Sequence, residues 1–465
     1  MRLVSLWLAS LAAAAVSASE LKAVTLQGTI TKTDASASVP TGSYISYDST
    51  IMVSETGDRQ QASHTGTAAL SPSDSADANS TEHTVTRTRL ETTVVFLTGG
   101  AKSTKVHTGT VTMTQNGTMN ATSTSSSSAE LPTNTQACNG YPEFCSRKYS
   151  NITEVCAHNS PFVKANSAAA NQAFGVTTQL NDGIRMLQAQ THFNATTKEF
   201  NLCHTNCELL NAGTLVDYLT TVREWVAAHP YDVVTVLLEN AGYVGVENYT
   251  APIEDSGLKQ YLYEPPKIPM GLDDWPTLTD MILATKRVVL FLDYQANQTA
   301  VPYILDQFSQ MWESPFDPTD RTFPCTVQRP PNLAVPDAKA RMYMINHNLN
   351  AQISVLGTDL LVPNTVDLEV TNSNKTENGS LELSAEQCTE MWGRPPNRLN
   401  VDYYNYGNFN GSVFAVAAKY NNVTYNDQCC GSTSTSGAAG LGGDSAAHSF
   451  IAAALSILLV AFAML

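Results

Sequence analysis

The sequence predicts an α/β protein: an irregular (β/α) barrel of the TIM type, preceded by a Ser/Thr-rich stalk. Between residues 138 and 430, short apolar runs of β-like composition alternate with stretches of helical periodicity. Such alternation is typical of a parallel sheet covered by helices, and its length suits a barrel. All nine cysteines also lie between residues 138 and 430. The chain therefore divides into a cysteine-containing domain and flanking regions of a different kind.

The two ends of the chain carry targeting signals. Residues 1–18 combine an early Arg2 with an apolar run and small residues, which indicates a secretory signal peptide. Residues 449–465 are apolar and follow a linker, 431–448, with small residues at its start. This pattern predicts a glycosylphosphatidylinositol (GPI) attachment region whose hydrophobic tail is removed, and the alternative is a short tail anchor. We therefore expect an extracellular protein at the cell surface, anchored to the plasma membrane or held in the cell wall.

Residues 19–137 form the predicted stalk. From Glu20 to Ala137 there are three aromatic residues, and twelve of the 25 residues from 111 to 135 are Ser or Thr. A segment of this composition buries too little apolar surface to offset the entropy lost when it becomes ordered. The β-like run 92–97 leaves open a small β-module within this region.

Residues 138–430 supply the elements of the predicted barrel. Apolar runs with β-branched and aromatic residues predict seven strands, and the periodic stretches between them predict four helices. The strands are Val155–His158, Gly183–Thr191, Phe200–His204, Val233–Glu239, Arg287–Asp293, Met342–His347 and Leu399–Tyr403. The helices are Leu215–Ala228, Trp275–Thr285, Tyr303–Trp312 and Leu383–Trp392.

Charge and cysteine content indicate the environment of the protein. Lys and Arg number 26 against 42 Asp and Glu, a net charge of −16, so binding to nucleic acid is not expected. Eleven Asn-x-Ser/Thr sequons and nine cysteines fit a secreted glycoprotein with disulfides. Cys138 with Cys145 and Cys203 with Cys207 would close short loops, and Cys156 is a candidate for a buried free thiol, but the connectivity stays open. We expect a monomer.

Polar residues follow the predicted strands at their carboxyl ends. In (β/α) barrels these ends form one face, where binding and catalytic residues gather. A single His or Asp at such a position is equally well explained by helix capping or a loop hydrogen bond. Recurrence at seven strand ends favours a functional site. The residues are His158-Asn159, Gln188 and Gln190, His204, Glu239-Asn240, Asp293, His347 and Asp402.

Five segments, in their order and spacing, resemble the motifs of the phosphatidylinositol-specific phospholipase C (PI-PLC) X-domain family. The similarity spans residues 138–420 and is greatest to the secreted fungal branch called PLC-like phosphodiesterases. The segments are Ala157–Ser160, Gly183–Gln190, Leu202–His204, Val236–Asn240 and Val401–Tyr403. The resemblance implies a phosphoric diester hydrolase that acts on a phosphoinositide or a related phosphodiester by general acid/base catalysis with two histidines.

The resemblance also implies catalytic roles for three residues. His158 corresponds to the general base that removes a proton from an inositol hydroxyl, which then attacks phosphorus. His204 corresponds to the general acid that protonates the departing glyceride oxygen. Asp402 corresponds to the carboxylate that orients and stabilises the charged form of the first imidazole. Imidazoles suit the first two roles because their pKa values allow both gain and loss of a proton near neutral pH.

The second predicted strand departs from the family pattern. Asn159 and Glu239 match positions that hold calcium in metal-dependent members, but Gln188 and Gln190 replace the acids that complete such sites. Gln190 also stands where metal-independent members carry an arginine. This set contains one carboxylate, so tight calcium binding is not expected and no cofactor is predicted. We interpret all four residues as substrate-binding residues.

The missing positive charge leaves two functions open. Loss of one well-placed stabilising group costs on the order of 10² to 10³ in rate. The chain is therefore either an active phosphodiesterase, slow or of altered substrate, or a catalytically inactive GPI-anchored glycoprotein whose barrel binds a ligand. A glycoside hydrolase that uses acids such as Asp293 and Asp402 fits less well, because it does not require two histidines.

Overall fold

The computed structural model describes residues 44–45, 47, 49–52, 108–112, 120–124, 136–165, 167–355 and 358–430. The predicted signal peptide, the run 92–97, the GPI linker and the hydrophobic tail lie outside these ranges. Within the described part of the chain, no helix is long and apolar enough to cross a membrane.

Eight parallel strands form the main sheet. They pair in the order β5-β4-β3-β2-β1-β8-β7-β6, so that the first and last strands are neighbours. This order curls the sheet into a barrel whose two edge strands are β5 and β6, and it confirms the predicted fold class. In chain order the strands are β1 (Glu154–Ala157), β2 (Met186–Asn194), β3 (Val234–Asn240), β4 (Val288–Leu292), β5 (Leu305–Asp306), β6 (Met311–Glu313), β7 (Met342–Asn346) and β8 (Arg398–Val401).

The strands are buried on both faces, which explains their nearly continuous apolar sequences. In β4, Val289 and Phe291 belong to the core inside the barrel, whereas Val288, Leu290 and Leu292 belong to the core under the helices. Successive strand residues point to opposite faces, so both sets must be apolar when helices cover the barrel.

Nine α-helices lie among these strands in the described residues. They are α1 (Val176–Asn181), α2 (Leu215–Ala228), α3 (Thr250–Asp255), α4 (Leu278–Leu283), α5 (Gln307–Gln310), α6 (Val335–Ala340), α7 (Leu368–Thr371), α8 (Leu381–Trp392) and α9 (Ser412–Tyr420). The two longest begin at N-cap side chains: Thr214 accepts from the Asp217 N–H at 3.1 Å, and Ser380 accepts from the Leu383 N–H at 3.1 Å. Both were predicted within two residues at each end.

Two predicted elements need correction. The helix predicted at Tyr303–Trp312 is wrong, because this segment forms β5, α5 and β6 in succession. Two- and three-residue strands buried on both faces leave apolar residues at spacings that also fit a helix. The strand predicted at Phe200–His204 exists as Glu199–Cys203, but it pairs antiparallel with β2 and with Asn211–Thr214, outside the parallel barrel.

Part of the region predicted as stalk contacts the barrel. Residues Ile51–Met52 pair antiparallel with Lys267–Ile268. The Tyr44 ring packs edge-on against Phe308 of α5, at a centroid distance of 5.0 Å, and its hydroxyl lies 3.3 Å from that of Tyr294. Two antiparallel hairpins are also described, Thr108–Thr112 with Asn120–Thr124 and Asn350–Val355 with Thr358–Pro363.

Four disulfides connect eight of the cysteines. The short loops Cys138–Cys145 and Cys203–Cys207 are present as predicted, and Cys156 is a buried free cysteine. The remaining pairs are Cys325–Cys388 and Cys429–Cys430. Cys325–Cys388 encloses a 63-residue separation and ties the segment after β6 to helix α8.

Candidate active site

The centre of the candidate site is a hydrogen-bonded pair, His158 and Asp402. Val401 pairs with Ala157 at the ends of β8 and β1, so the next residue of each strand emerges at the same point of the barrel mouth. His158 Nδ1 lies 2.7 Å from Asp402 Oδ1, and both side chains are buried. Because Nδ1 is bound to the carboxylate, Nε2 is the ring nitrogen that remains for a reacting group.

Opposing effects act on the pKa of His158. Burial acts to lower it, but the charge of Asp402 and its hydrogen bond, followed by the charges of Glu239 and Asp317, raise this pKa above its ordinary value. The imidazolium is therefore stabilised, as required of a base that has just accepted a proton.

His204 lies in the loop between the antiparallel strands 199–203 and 211–214. Its backbone N–H donates to the Leu210 carbonyl at 2.9 Å, the neighbouring Cys203–Cys207 disulfide closes the loop, and the Phe162 ring packs edge-on at 5.2 Å. Burial, followed by the charge of His158, lowers the pKa of His204 to about 4, although Asp402 opposes this. The two predicted catalytic imidazoles therefore influence each other electrostatically, and His204 is neutral at neutral pH in the protein alone.

Gln190 supports the loop that carries His204. Its Oε1 accepts from the Thr205 N–H at 2.8 Å and lies 3.1 Å from His192 Nε2. Thr205 has a φ of +64°, so this side-chain contact fixes a backbone conformation that is uncommon for threonine. Gln190 thus contacts the residue next to the candidate acid.

Gln188 and Glu239 form the floor of the mouth. Gln188 Nε2 donates to Glu239 Oε1 at 2.7 Å, and Gln188 Oε1 accepts from Asn400 Nδ2 at 3.0 Å. Burial raises the pKa of Glu239. Asn159 is buried with a φ of +47°, and its Oδ1 has no partner among the described residues, which leaves an acceptor for a ligand hydroxyl.

The glutamine oxygens of the mouth are engaged in hydrogen bonds. The carbonyl oxygens of both glutamines already accept hydrogen bonds, and Glu239 Oε1 is shared with Gln188. Both glutamines therefore offer a cation only oxygens that are already engaged, and the absence of tight calcium binding stays a prediction from the sequence.

Two residues named at strand ends have structural contacts. Asp293 Oδ1 accepts from the N–H groups of Asn240 and Tyr294 at 2.8 and 2.7 Å. Burial, with the charge of Glu239, raises the pKa of Asp293 to about 8. His347 is buried, with Nε2 3.0 Å from the Thr371 carbonyl, and burial lowers its pKa to about 3. His347 therefore belongs to the core rather than to the reacting groups.

Sequence reasoning missed several residues of the mouth. Asn171 Nδ2 donates to Asp402 Oδ1 at 2.9 Å, and Asn348 Nδ2 lies 3.4 Å from His158 Nε2. Asn348 directly follows the predicted strand Met342–His347, so its position next to a strand end could have identified it. Asn171, Asp317 and Arg329 come from loops, and no periodicity identifies a loop residue that folds back onto a strand end.

The comparisons with known proteins agree with this geometry. Residues 144–417 match the family model described as PI-PLC X 1. The chain belongs to the PI-PLC X-domain family. A PI-PLC X domain-containing protein 1 from Arthroderma benhamiae is 39% identical over 280 residues, covering 60% of this chain and 88% of the relative. An "uncharacterized secreted protein" of the same fungus is 58% identical over 311 residues, 67% of this chain and 70% of the relative.

Solved structures similar to this chain include two bacterial phosphatidylinositol-specific phospholipases C. A mutant phosphatidylinositol-specific phospholipase C from Staphylococcus aureus is 14% identical with a TM-score of 0.40, covering 60% of this chain and 95% of that one. The enzyme from Listeria monocytogenes is 13% identical, also with a TM-score of 0.40, over 59% and 95%.

Proposed function

We propose that this PI-PLC X-domain protein is a phosphoric diester hydrolase that cleaves a phosphoinositide or a related phospholipid. The observation that carries the proposal is the buried pair of His158 and Asp402, electrostatically coupled to a second imidazole, His204. A hydrogen-bonded base and a separate acid at one barrel mouth are what an in-line displacement at phosphorus requires.

In the proposed reaction, His158 Nε2 takes the proton of a ring hydroxyl while that oxygen forms a bond to phosphorus. The bond from phosphorus to the glyceride oxygen breaks, and His204 gives its proton to that oxygen. The products are a cyclic phosphate of the headgroup and a diglyceride. Asp402 stabilises the imidazolium formed on His158.

The low pKa of His204 fits this scheme only if the substrate changes it. A phosphodiester carries a negative charge, and an anion next to a buried imidazole favours the protonated form. We expect substrate binding to raise the pKa of His204, so that the acid is charged mainly in the complex.

The proposed location is the cell surface. The signal peptide and the secreted relative support export, and the predicted GPI attachment region would bring the barrel mouth near membrane phospholipids.

The test is a phosphodiesterase assay of the purified, glycosylated chain on phosphatidylinositol, lysophospholipids, glycerophosphodiesters and GPI, with calcium and with a chelator. We expect release of a headgroup phosphate from at least one substrate in both conditions. Absence of cleavage by a folded protein would favour the inactive ligand-binding glycoprotein, and cleavage that needs calcium would contradict a metal-free site.

A further inference from the structure

Arg329 differs in position from the other buried arginines of the described chain. Arg185 and Arg287 directly precede β2 and β4, and Arg398 begins β8, so all three lie at the amino ends of strands. Arg329 lies at the opposite end. Its carbonyl accepts from the N–H of Glu313, the last residue of β6, at 2.8 Å. Its side chain therefore belongs to the carboxyl face, where the candidate site is located.

Glu313 and Tyr294 both hydrogen-bond to the guanidinium of Arg329. Nε and Nη2 donate to Glu313 Oε2 at 2.9 and 2.5 Å, and the group lies over the Phe316 ring at 4.1 Å. Glu313 is further satisfied by donors from Gln307 and Asn346. A planar group fixed by two hydrogen bonds to one carboxylate oxygen and by an aromatic face loses little freedom when it binds a second anion.

The other side of the same guanidinium faces the floor of the mouth. Nη2 lies 4.0 Å from Glu239 Oε1, the oxygen that accepts from Gln188. Glu239 and Asp317 each interact electrostatically with both Arg329 and His158. Arg329 and the candidate base therefore flank the same carboxyl groups.

A phosphodiester that enters this mouth needs a compensating positive charge. The carboxyl groups of Glu239, Asp317 and Asp402 interact electrostatically with His158, and β2 contributes only the neutral amides of Gln188 and Gln190. An anion buried among acids without a cation would be strongly disfavoured.

We propose that Arg329 is the residue that binds the phosphate of the substrate, through the guanidinium edge not used by Glu313. This inference rests on the proposed function, because it assigns a role within that site. It makes Glu313 a positioning residue, which holds the guanidinium and also competes for its charge.

Two neutralising variants test the assignment. Glu313→Gln keeps hydrogen-bonding groups in place but removes the competing charge, so we expect inorganic phosphate and inositol 1-phosphate to bind about tenfold more tightly by calorimetry. In Arg329→Gln/Glu313→Gln both charges are absent, and replacing both partners of a buried ion pair is usually tolerated by the fold. We expect this variant to bind both ligands at least tenfold more weakly than Glu313→Gln.

The matched control is Arg185→Gln/Asp232→Asn, which removes an ion pair of 2.8 Å at the amino end of the barrel. It should leave phosphate affinity unchanged. Equal phosphate affinity of Glu313→Gln and the double variant, or no phosphate binding by any variant, would overturn the assignment. If the expected order is found but no phosphodiester is cleaved, the proposed function fails and Arg329 remains an anion-binding residue.

Discussion

Replacing Asp402 with Asn tests whether the carboxylate acts on His158. The substitution keeps an oxygen that can accept from His158 Nδ1, now at 2.7 Å, and from Asn171 Nδ2, now at 2.9 Å, but it removes the charge. Hydrogen bonds to charged groups are worth about 1.5–3 kcal/mol and neutral ones about 0.5–1.5 kcal/mol, so roughly 1–2 kcal/mol of imidazolium stabilisation is lost. This corresponds to a decrease in kcat/KM of roughly 5- to 30-fold.

The same variant should change the titration of His158. Once the carboxylate charge is gone, burial is opposed only by more distant acids, so we expect the pKa of His158 to fall from above 6.5 to below it. NMR titration of the His158 ring measures this pKa, and kinetics on the best substrate measures kcat/KM. Asp293→Asn controls for the replacement of a buried acid at the same rim, because Asp293 accepts from backbone N–H groups rather than from an imidazole. An unchanged His158 pKa in Asp402→Asn would refute the reasoning.

Three further predictions follow from the same site and fold. The pKa of His204 is about 4 and that of His158 is raised above its ordinary value, so kcat/KM should be independent of pH between these two pKa values and fall at lower and at higher pH. A pH profile with both limbs near neutral pH would contradict this. Gln190→Arg should lower activity, because arginine cannot accept a hydrogen bond from the Thr205 N–H, whereas the control Gln190→Glu keeps the acceptor. A gain of activity in Gln190→Arg would mean that the added charge outweighs the lost hydrogen bond. Removing the Cys325–Cys388 disulfide, which spans 63 residues, in Cys325→Ala/Cys388→Ala should lower the free energy of unfolding by about 4 kcal/mol. An unchanged melting temperature of this variant would show that the loop is ordered without the disulfide.

The barrel was predictable because long buried strands have a distinctive composition. β3 and β4 consist largely of Val and Leu and are bounded by polar residues, so their positions could be read directly. β5 and β6 could not, since two or three residues give no period, and Phe308 of α5 together with Trp312 of β6 completes a helical pattern. The contact of Tyr44 with the barrel was also unpredictable, because a single aromatic residue in a polar segment gives no indication of its partner.

The candidate site was predictable where its residues lie next to strands. His158 and Asp402 directly follow β1 and β8, and strand pairing alone brings them together. Gln190 was interpreted as a substrate-binding residue from its position on β2, and its side-chain oxygen contacts Thr205 in the loop of His204 and His192 on β2. Arg329 was missed because the loop after β6 returns to that strand, and such a return depends on tertiary contacts that local sequence does not encode.

The central claim, that His158 and His204 act as base and acid, is tested most directly by comparing two leaving groups. His158→Ala and His204→Ala are assayed on phosphatidylinositol and on the 4-nitrophenyl ester of inositol phosphate, whose leaving group departs without a proton. We predict that His158→Ala loses at least ~10² in turnover on both substrates, whereas His204→Ala loses at least ~10² on the lipid but less than ~10 on the nitrophenyl ester. Equal losses for His204→Ala on the two substrates, or full activity of either variant on the lipid, would contradict the account.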